Sequence, residues 1–493
     1  MSVVIAIDAG TTGIRSMAIT ESGLVAARAY REFPQYFPQP GWVEHDPSEI
    51  WATTQATLRE VVAALDGEPV AAIGITDQRE TVVAWDRRTG QPRHRAIVWQ
   101  DRRTAGMCDA LRAEGLEPEI RAATGLVLDP YFSATKLSWL LADGGVTVDA
   151  DLVVGTIDSW IVWNLTGGPD GGAHVTDPSN ASRTMLFDLR TGEWSPELCD
   201  RFGVPLDVLP TIYPSSGRIA TTDPTCAAGL SVPVAGIAGD QQAALFGQAC
   251  TEPGMTKNTY GTGSFVLMNI GSAVPEPVEG LLTTVAWSIH GRTTYAFEGA
   301  IFVTGAAIQW LRDGLGIIDD AAETGPLAAS VEHTDGVYFV PALTGLGSPY
   351  WDPYARGTIV GLTRGTTRAH ITRATVEAMA FLTADVVDAM SAASGVPMRE
   401  LRVDGGASVM DLLCRFQAAL LGVPVRRPKV QETTALGAAY LAGIATDVWE
   451  SPAALNWQQD AAFTPDPALQ TDARDRYLDW HRAVERSRHW ASD

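Results

Sequence analysis

Two short segments that lie far apart in the chain share one residue pattern, and this repeat limits the folds open to the protein. Residues 5–19 and residues 256–270 align with four identities in fifteen positions, and each segment reads as a strand, a Gly/Thr turn and a second strand. The repeat predicts two related domains, residues 1–248 and residues 249–493, with an active-site cleft between them. The identical positions are Gly10, Thr11, Met17 and Ile19 in the first segment, and Gly261, Thr262, Met268 and Ile270 in the second.

Short β-rich runs alternate with helical segments, which predicts an α/β fold with strands buried between helix layers. Residues 46–65 predict one helix, because the run from Asp46 to Glu49 supplies an N-cap, a first-turn proline and an acid ahead of an apolar stripe. A second helix is predicted from about residue 370 to residue 394, ending at Gly395. A strand at residues 401–404 follows it.

Composition excludes several classes of function. A length of 493 residues, 46% of them hydrophobic and 19% charged, predicts a folded chain of two or more domains. The formal net charge of -22 argues against binding to nucleic acid or to anionic membranes. Five widely spaced cysteines without a CxxC pair argue against disulfides and thiolate metal sites. With no basic leader and no long apolar stretch, the sequence predicts a cytoplasmic protein without a membrane span.

Each Gly/Thr turn could present backbone N–H groups and hydroxyls to an anion, as a phosphate clamp does. Asp8 ends the strand before the first turn, where a carboxylate can hold Mg²⁺, and Arg15 lies beyond the turn within reach of a phosphate. Taken alone, residues 8–13 are more typical of a plain hairpin turn between strands, and their place in a duplicated pair strengthens the functional interpretation. A Walker A motif is absent from the sequence.

Asp240 lies between an apolar run, residues 232–238, and a helical stretch, residues 241–246. A helix N-cap is one interpretation of this position. Catalysis is the other, because open α/β proteins bind ligands at the carboxyl ends of strands. Phosphoryl transfer to an alcohol also uses a carboxylate that orients the hydroxyl and accepts its proton.

Arg79 and Glu80 follow the strand-like residues 71–76 and place a forked donor beside a two-oxygen acceptor, which suits vicinal hydroxyls. A solvated charge pair is the alternative interpretation. Trp99 and Tyr131 alone are more typical of core or rim aromatics than of ligand contacts. The absence of HExxH and GxSxG motifs argues against zinc chemistry and serine hydrolysis.

Ten blocks in order make the chain resemble the FGGY carbohydrate kinases over nearly its whole length, and within that family the members that phosphorylate glycerol. The blocks are residues 8–12 (DAGTT), 38–47 (PQPGWVEHDP), 78–81 (QRET), 98–104 (VWQDRRT), 128–136 (LDPYFSATK), 179–185 (SNASRTM), 239–243 (GDQQA), 257–263 (KNTYGTG), 345–353 (GLGSPYWDP) and 433–439 (TTALGAA).

The resemblance implies two duplicated actin-like, ribonuclease-H-like domains and the reaction of ATP with glycerol to give sn-glycerol 3-phosphate and ADP, with Mg²⁺, in glycerol catabolism. It implies Asp240 as the base and Asp8 as the magnesium ligand, and a homodimer or homotetramer. The implied glycerol contacts are Arg79, Glu80, Trp99, Tyr131, Asp240, Gln241 and Phe265. The implied ATP contacts are Thr11, Thr12, Gly13, Arg15, Thr262, Gly305, Gln309, Gly406 and Met410.

Several positions depart from the family pattern. The first turn usually reads DQGTTSSR, so Gly13 and Ile14 here remove two hydroxyls beside the phosphates. Met410 replaces an asparagine that contacts adenine, and it cannot reproduce the hydrogen bonds of an amide. Asp77 replaces an asparagine near the polyol residues. These changes leave two alternatives, a kinase for a related polyol or sugar and a weakly catalytic binding protein.

Overall fold

Strands alternate with helices along residues 2–491, the range that this computed structural model describes. β1 shows why these strands form, because its valine and isoleucine side chains are buried, as expected inside a sheet covered by helices. The strands are β1 (Val3–Ala9), β2 (Gly13–Thr20), β3 (Val25–Glu32), β4 (Glu44–His45), β5 (Val70–Asp77), β6 (Val82–Asp86), β7 (Ala96–Ile97), β8 (Leu152–Thr156), β9 (Val175–Thr176), β10 (Phe187–Asp188), β11 (Glu193–Trp194), β12 (Thr211–Ile212), β13 (Ser216–Thr221), β14 (Pro233–Gly239), β15 (Met255–Tyr260), β16 (Ser264–Gly271), β17 (Leu282–Ile289), β18 (Arg292–Ile301), β19 (Tyr338–Val340), β20 (Thr358–Val360), β21 (Glu400–Gly405), β22 (Val425–Pro428) and β23 (Gln459–Phe463).

Thirteen of these strands form one sheet in the order β23-β22-β21-β15-β16-β18-β17-β13-β14-β5-β1-β2-β3. In its N-terminal half, β1 pairs antiparallel with β2 and parallel with β5, and β14 continues the parallel part. In its C-terminal half, β15 pairs antiparallel with β16 and parallel with β21, and β22 continues it. The two aligned sequence segments therefore form equivalent hairpins. The predicted boundary after residue 248 falls between helix α8 (Asp240–Gly247) and β15. This boundary stays a prediction.

Helices cover the sheet, and the two predicted ones are present. Asp46 caps the first helix by accepting a hydrogen bond from the Ser48 amide at 2.8 Å. The long helix begins at Arg368 rather than residue 370, because Thr367 caps it, and it ends at Gly395 with φ of 64°. The helices are α1 (Pro47–Ala64), α2 (Ala105–Ala113), α3 (Glu117–Thr124), α4 (Ser133–Ala142), α5 (Ile157–Leu165), α6 (Pro178–Ala181), α7 (Pro196–Arg201), α8 (Asp240–Gly247), α9 (Gly305–Gln309), α10 (Thr324–Ala329), α11 (Arg368–Ser394), α12 (Asp411–Leu421), α13 (Thr433–Ala445) and α14 (Pro467–Ser487).

Close packing of α13 fixes the position of α8, the helix that begins at Asp240. A side chain at Gly247 would collide with the Thr433 carbonyl, and one at Gly437 would collide with the Ala243 carbonyl. The two helices touch backbone to backbone, which only glycine allows at these positions. Within residues 2–491, no helix has both the length and the apolar character needed to cross a membrane.

Candidate active site

Asp240 is the first residue of α8 and follows directly after β14. The N-cap position belongs to Gly239, so the interpretation of Asp240 as a helix cap is wrong. Its Oδ1 accepts the backbone N–H of Gln241 at 2.7 Å and lies 3.0 Å from Nε of Arg79. Oδ2 has one longer contact, at 3.3 Å from Nε2 of Gln241, and the side chain is 31% exposed. The carboxylate is therefore held at one oxygen and accessible at the other.

Arg79 lies at the centre of a buried network. Its Nη1 is 2.5 Å from Oε2 of Glu298, and its Nη2 donates to the Tyr131 hydroxyl at 3.3 Å. The side chains of Arg79 and Glu80 are each 2% exposed, so the interpretation of this pair as solvated charges is wrong. Glu80 has φ of 64°, a left-handed conformation that is rare outside glycine and is found at functional sites.

Glu298 and Arg183 complete this network, and the sequence did not predict a role for either. Arg183 donates to Glu80 at 2.7 Å and to Glu298 at 2.9 Å. Burial alone would raise the pKa of Glu298, but Arg183 and Arg79 outweigh burial and lower that pKa to about 2. Burial raises the pKa of Glu80, and the same two arginines oppose the shift. A charged residue inside the apolar strand β18 was the available signal for Glu298.

Lys257 is a further buried charge, and from the C-terminal half of the sheet it reaches Gln241, the neighbour of Asp240. Its ammonium donates to Oε1 of Gln241 and to the Thr259 hydroxyl, the latter at 3.0 Å. Burial lowers the pKa of Lys257 to about 8. Because Gln241 also donates to Asp240, its side-chain amide connects the lysine to the carboxylate.

A cavity of about 910 Å³ lies next to Gln241 and is lined by the aromatic residues that the sequence predicted. Trp99 and Tyr131 meet edge to face with ring centroids 5.5 Å apart. The Trp99 indole N–H donates to the Thr11 hydroxyl at 3.0 Å, so the aromatic wall is joined to the first Gly/Thr turn. Gln241 and Phe265 also line this cavity. Apolar walls with a few polar groups are typical of small-ligand sites.

The first Gly/Thr turn closes with a hydrogen bond from the Gly10 N–H to the Gly13 carbonyl at 3.0 Å. Asp8, on the strand before the turn, forms an ion pair with Arg15 at 3.3 Å. Burial raises the pKa of Asp8 to about 6 against the opposing charge of Arg15, and the charge of Asp240 adds to the rise. The two carboxylates therefore lie close enough for their charges to interact. The predicted phosphate-side residues Thr11, Thr12, Gly13 and Arg15 all lie on this turn or directly after it.

A second cavity, of about 830 Å³, lies against the second Gly/Thr turn. Gly261 and Thr262 line both cavities, so the two cavities meet at this turn. The Gly305 N–H donates to the Gly261 carbonyl at 3.1 Å, and a Cβ at Gly305 would lie 2.5 Å from that oxygen. All the residues predicted to hold the nucleotide on this side line the cavity, namely Thr262, Gly305, Gln309, Gly406 and Met410.

Comparison with known proteins identifies the family. The N-terminal domain model of the FGGY family of carbohydrate kinases matches residues 3–247, and its C-terminal domain model matches residues 256–446. The chain belongs to the FGGY family of carbohydrate kinases. This membership confirms the predicted α/β fold class with two actin-like domains.

Several relatives of this FGGY kinase are similar over their whole length. It is 54% identical to a glycerol kinase of Halorhodospira halophila, with 99% of this chain and 97% of the relative covered. It is 55% identical to a glycerol kinase of Trichlorobacter lovleyi, with 100% of both chains covered. The crystal structure of Plasmodium falciparum glycerol kinase with ADP superimposes with a TM-score of 0.93 at 34% identity, covering 99% and 98% of the two chains.

Asp77 is fully buried at the end of β5, two residues before Arg79. It was expected to add a carboxylate near the polyol residues, and its charge interacts with those of Asp158, Asp240 and Asp177. Its side chain lines neither cavity. Across residues 2–491, neither of its carboxylate oxygens has a hydrogen-bond partner. A role of Asp77 in the choice of polyol stays a prediction.

Proposed function

We propose that this FGGY kinase transfers the γ-phosphoryl group of ATP to glycerol, giving sn-glycerol 3-phosphate and ADP. One observation carries the proposal: the partly exposed carboxylate of Asp240 is held by Arg79 and by Gln241, whose side chain lines the polyol-side cavity, and its charge interacts with that of Asp8 beside the phosphate turn. Full-length relatives at 52–55% identity that are named glycerol kinase support the choice of acceptor. The cytoplasmic location and the homodimer or homotetramer expected from the sequence stay predictions.

Asp240 acts as the base in this proposal, through Oδ2. Oδ1 is occupied by the Gln241 N–H and by Arg79, whereas Oδ2 has, within residues 2–491, one hydrogen-bond contact, at 3.3 Å. Oδ2 therefore has a lone pair free to orient the glycerol hydroxyl and to accept its proton as oxygen attacks the γ-phosphorus. The ion pair with Arg79 keeps the carboxylate oriented and stabilises its charge before the proton arrives.

Glycerol binds in the cavity of about 910 Å³, where Trp99 and Phe265 pack against its carbons. Arg79, Glu80 and Tyr131 hydrogen-bond its hydroxyls. Because the buried network already orients these three side chains, little rotamer entropy is lost when glycerol binds. Alignment of a hydroxyl with the phosphorus then supplies much of the rate enhancement.

ATP binds with its base in the cavity of about 830 Å³ and its phosphates between the two Gly/Thr turns. Backbone N–H groups, threonine hydroxyls and Arg15 provide donors to the phosphate oxygens. The residues assigned to the nucleotide are Thr11, Thr12, Gly13, Arg15, Thr262, Gly305, Gln309, Gly406 and Met410.

Asp8 would hold Mg²⁺, and the charge of Asp240 interacts with that of Asp8. In the described part of the chain, residues 2–491, no group of three or more His, Cys, Asp or Glu side chains is arranged to hold a metal. This fits Mg²⁺, which binds through one or two carboxylates, waters and substrate phosphates rather than in a protein cage. When bound, Mg²⁺ neutralises the charge of the transferring phosphate.

The test is ADP release by the wild type and by Asp240→Asn, with Mg-ATP and glycerol, erythritol or xylulose. We expect glycerol to be preferred, and kcat of Asp240→Asn to fall about 10²- to 10⁴-fold with thermal stability retained. Asp319→Asn, at an exposed position, is the matched control and should match the wild type. Preference for another acceptor would contradict the substrate assignment, and a fully active Asp240→Asn would remove Asp240 from the mechanism.

A further inference from the structure

The space that a side chain at position 13 would take is filled by Tyr30, a residue to which the sequence assigned no role. An ideal Cβ built on Gly13 would lie 2.8 Å from both Cζ and the hydroxyl oxygen of Tyr30. It would also lie 2.5 Å from the Arg31 carbonyl of β3. The missing side chain lets β3 approach the turn, and it brings the Tyr30 phenol to where a short side-chain hydroxyl at position 13 would lie.

Strand register places Tyr30 on the phosphate side of the sheet. Asp8 pairs with Arg15 across β1 and β2, and Arg15 pairs with Tyr30 across β2 and β3. Side chains of residues paired across neighbouring strands lie on the same face, and so does position 13, two residues before Arg15. Tyr30 therefore shares a face with the proposed magnesium ligand and with the turn.

Tyr30 contacts two groups of the phosphate turn. The Arg15 guanidinium lies over the Tyr30 ring, 5.5 Å from its centroid, while the same guanidinium pairs with Asp8 at 3.3 Å. The Tyr30 hydroxyl lies 3.5 Å from the Thr12 hydroxyl, at the long limit for a hydrogen bond. In the described range this is its single hydrogen-bond contact, and the residue is 47% exposed. The phenol O–H is thus free to donate to an incoming anion.

We propose that Tyr30 is a positioning residue for the phosphates of the nucleotide. Its hydroxyl donates to a terminal phosphate oxygen from the place left open by Gly13, and its ring holds Arg15 against the turn. The inference rests on the proposed function, since it assigns the terminal phosphates to this turn. It also explains how the first Gly/Thr turn, in which Gly13 and Ile14 follow the threonines, has a side-chain hydroxyl donor at the place of position 13.

The test compares Tyr30→Phe with Tyr213→Phe, a control at another exposed tyrosine. Isothermal titration calorimetry would measure binding of a non-hydrolysable ATP analogue with Mg²⁺, and binding of AMP. Tyr30→Phe should weaken binding of the analogue about 5- to 20-fold, the range for a hydrogen bond to a charged group at a partly exposed site. AMP, which lacks the terminal phosphates, should bind both variants as it binds the wild type.

Two results would overturn the proposal: wild-type affinity of Tyr30→Phe for the analogue, or an equal loss of affinity for the analogue and for AMP. The KM for glycerol should stay unchanged, because Tyr30 is assigned to the phosphate side alone. Failure of the wild type to phosphorylate glycerol would reject the proposed acceptor but leave this binding comparison readable, so the two proposals can fail separately.

Discussion

Replacing Asp77 with asparagine should stabilise the protein, although Asp77 is fully buried at the end of β5. Neither carboxylate oxygen has a hydrogen-bond partner within residues 2–491. Burial and then the charge of Asp158 raise the pKa of Asp77 well above its ordinary value. The Asn180 amide opposes this shift, but its geometry falls short of a hydrogen bond to Asp77. The carboxylate form is therefore poorly accommodated.

The magnitude follows from the proton that the folded protein retains. Each pH unit above the ordinary pKa of an aspartate costs the wild type about 1.4 kcal/mol while Asp77 stays protonated, so one to two units above that value the free energy of unfolding of Asp77→Asn should be higher by about 1–3 kcal/mol. Unfolding entropy is about 2 cal/mol/K per residue, or about 1 kcal/mol/K for this chain, so Tm should rise by about 1–3 °C. The exchange of carboxylate for amide keeps the volume, so packing is preserved.

The raised pKa of Asp77 also determines whether folding stability rises or falls with pH. As pH rises above about 4, the ordinary pKa of an aspartate, the unfolded chain releases the Asp77 proton while the folded protein retains it. Wild-type stability therefore falls with pH until the raised folded pKa is passed. The amide that replaces this carboxyl group does not titrate, so the advantage of the variant should grow with pH across this window.

Differential scanning fluorimetry from pH 4.5 to 8.5 would measure Tm of the wild type, Asp77→Asn and the exposed control Asp319→Asn. The difference between Asp77→Asn and the wild type should be small at pH 4.5 and largest at the alkaline end. A variant that is less stable throughout, or a difference that stays constant with pH, would refute the reasoning about Asp77.

Three further substitutions test the buried charges and the nucleotide cavity. Glu298→Gln removes the carboxylate that Arg79 and Arg183 share, so the unfolding free energy should fall by about 3–5 kcal/mol. The KM for glycerol should rise. A variant with the Tm of the wild type would contradict this prediction. Since the pKa of Lys257 is about 8, its charge is lost as pH rises through 8, and wild-type kcat should decline there. Lys257→Met should have a lower kcat at pH 7 and should lack this decline. If kcat of the variant still declined above pH 8, the decline would come from a group other than Lys257. Met410→Asn should raise the preference for ATP over GTP about 3- to 10-fold, as one added amide hydrogen bond predicts, and an unchanged ratio of kcat/KM values would argue against base contact there.

Local signals in the sequence predicted the elements that carry the site. Asp46 and Gly395 mark helix ends because caps act within one turn. The repeated Gly/Thr turns predicted two hairpins because hairpin geometry depends on a few adjacent residues. The position of Asp240, between an apolar strand and a helix, followed from the same short-range information. These features required no knowledge of how distant segments pack.

Long-range contacts were the part that the sequence did not reveal. Glu298 meets Arg79 across more than two hundred residues of chain, and its strand carried no motif. The direction of the Asp77 side chain depends on whether the end of β5 turns toward the cavity or into the core. The contact between Tyr30 and Gly13 depends on how closely β3 approaches the turn, which residue patterns do not specify.

The buried charges also limit how the site can open to admit its ligands. Asp240 and Arg79 belong to the N-terminal half of the chain, whereas Glu298 comes from the C-terminal half and pairs with Arg79, with both side chains of this pair buried. Separating such a pair costs about 3–5 kcal/mol, because each charge would be left without its partner. An opening movement that leaves this pair intact is therefore favoured, with displacement at the outer rims of the two cavities. The Gly261–Thr262 turn, which lines both cavities, then keeps its place where the two cavities meet.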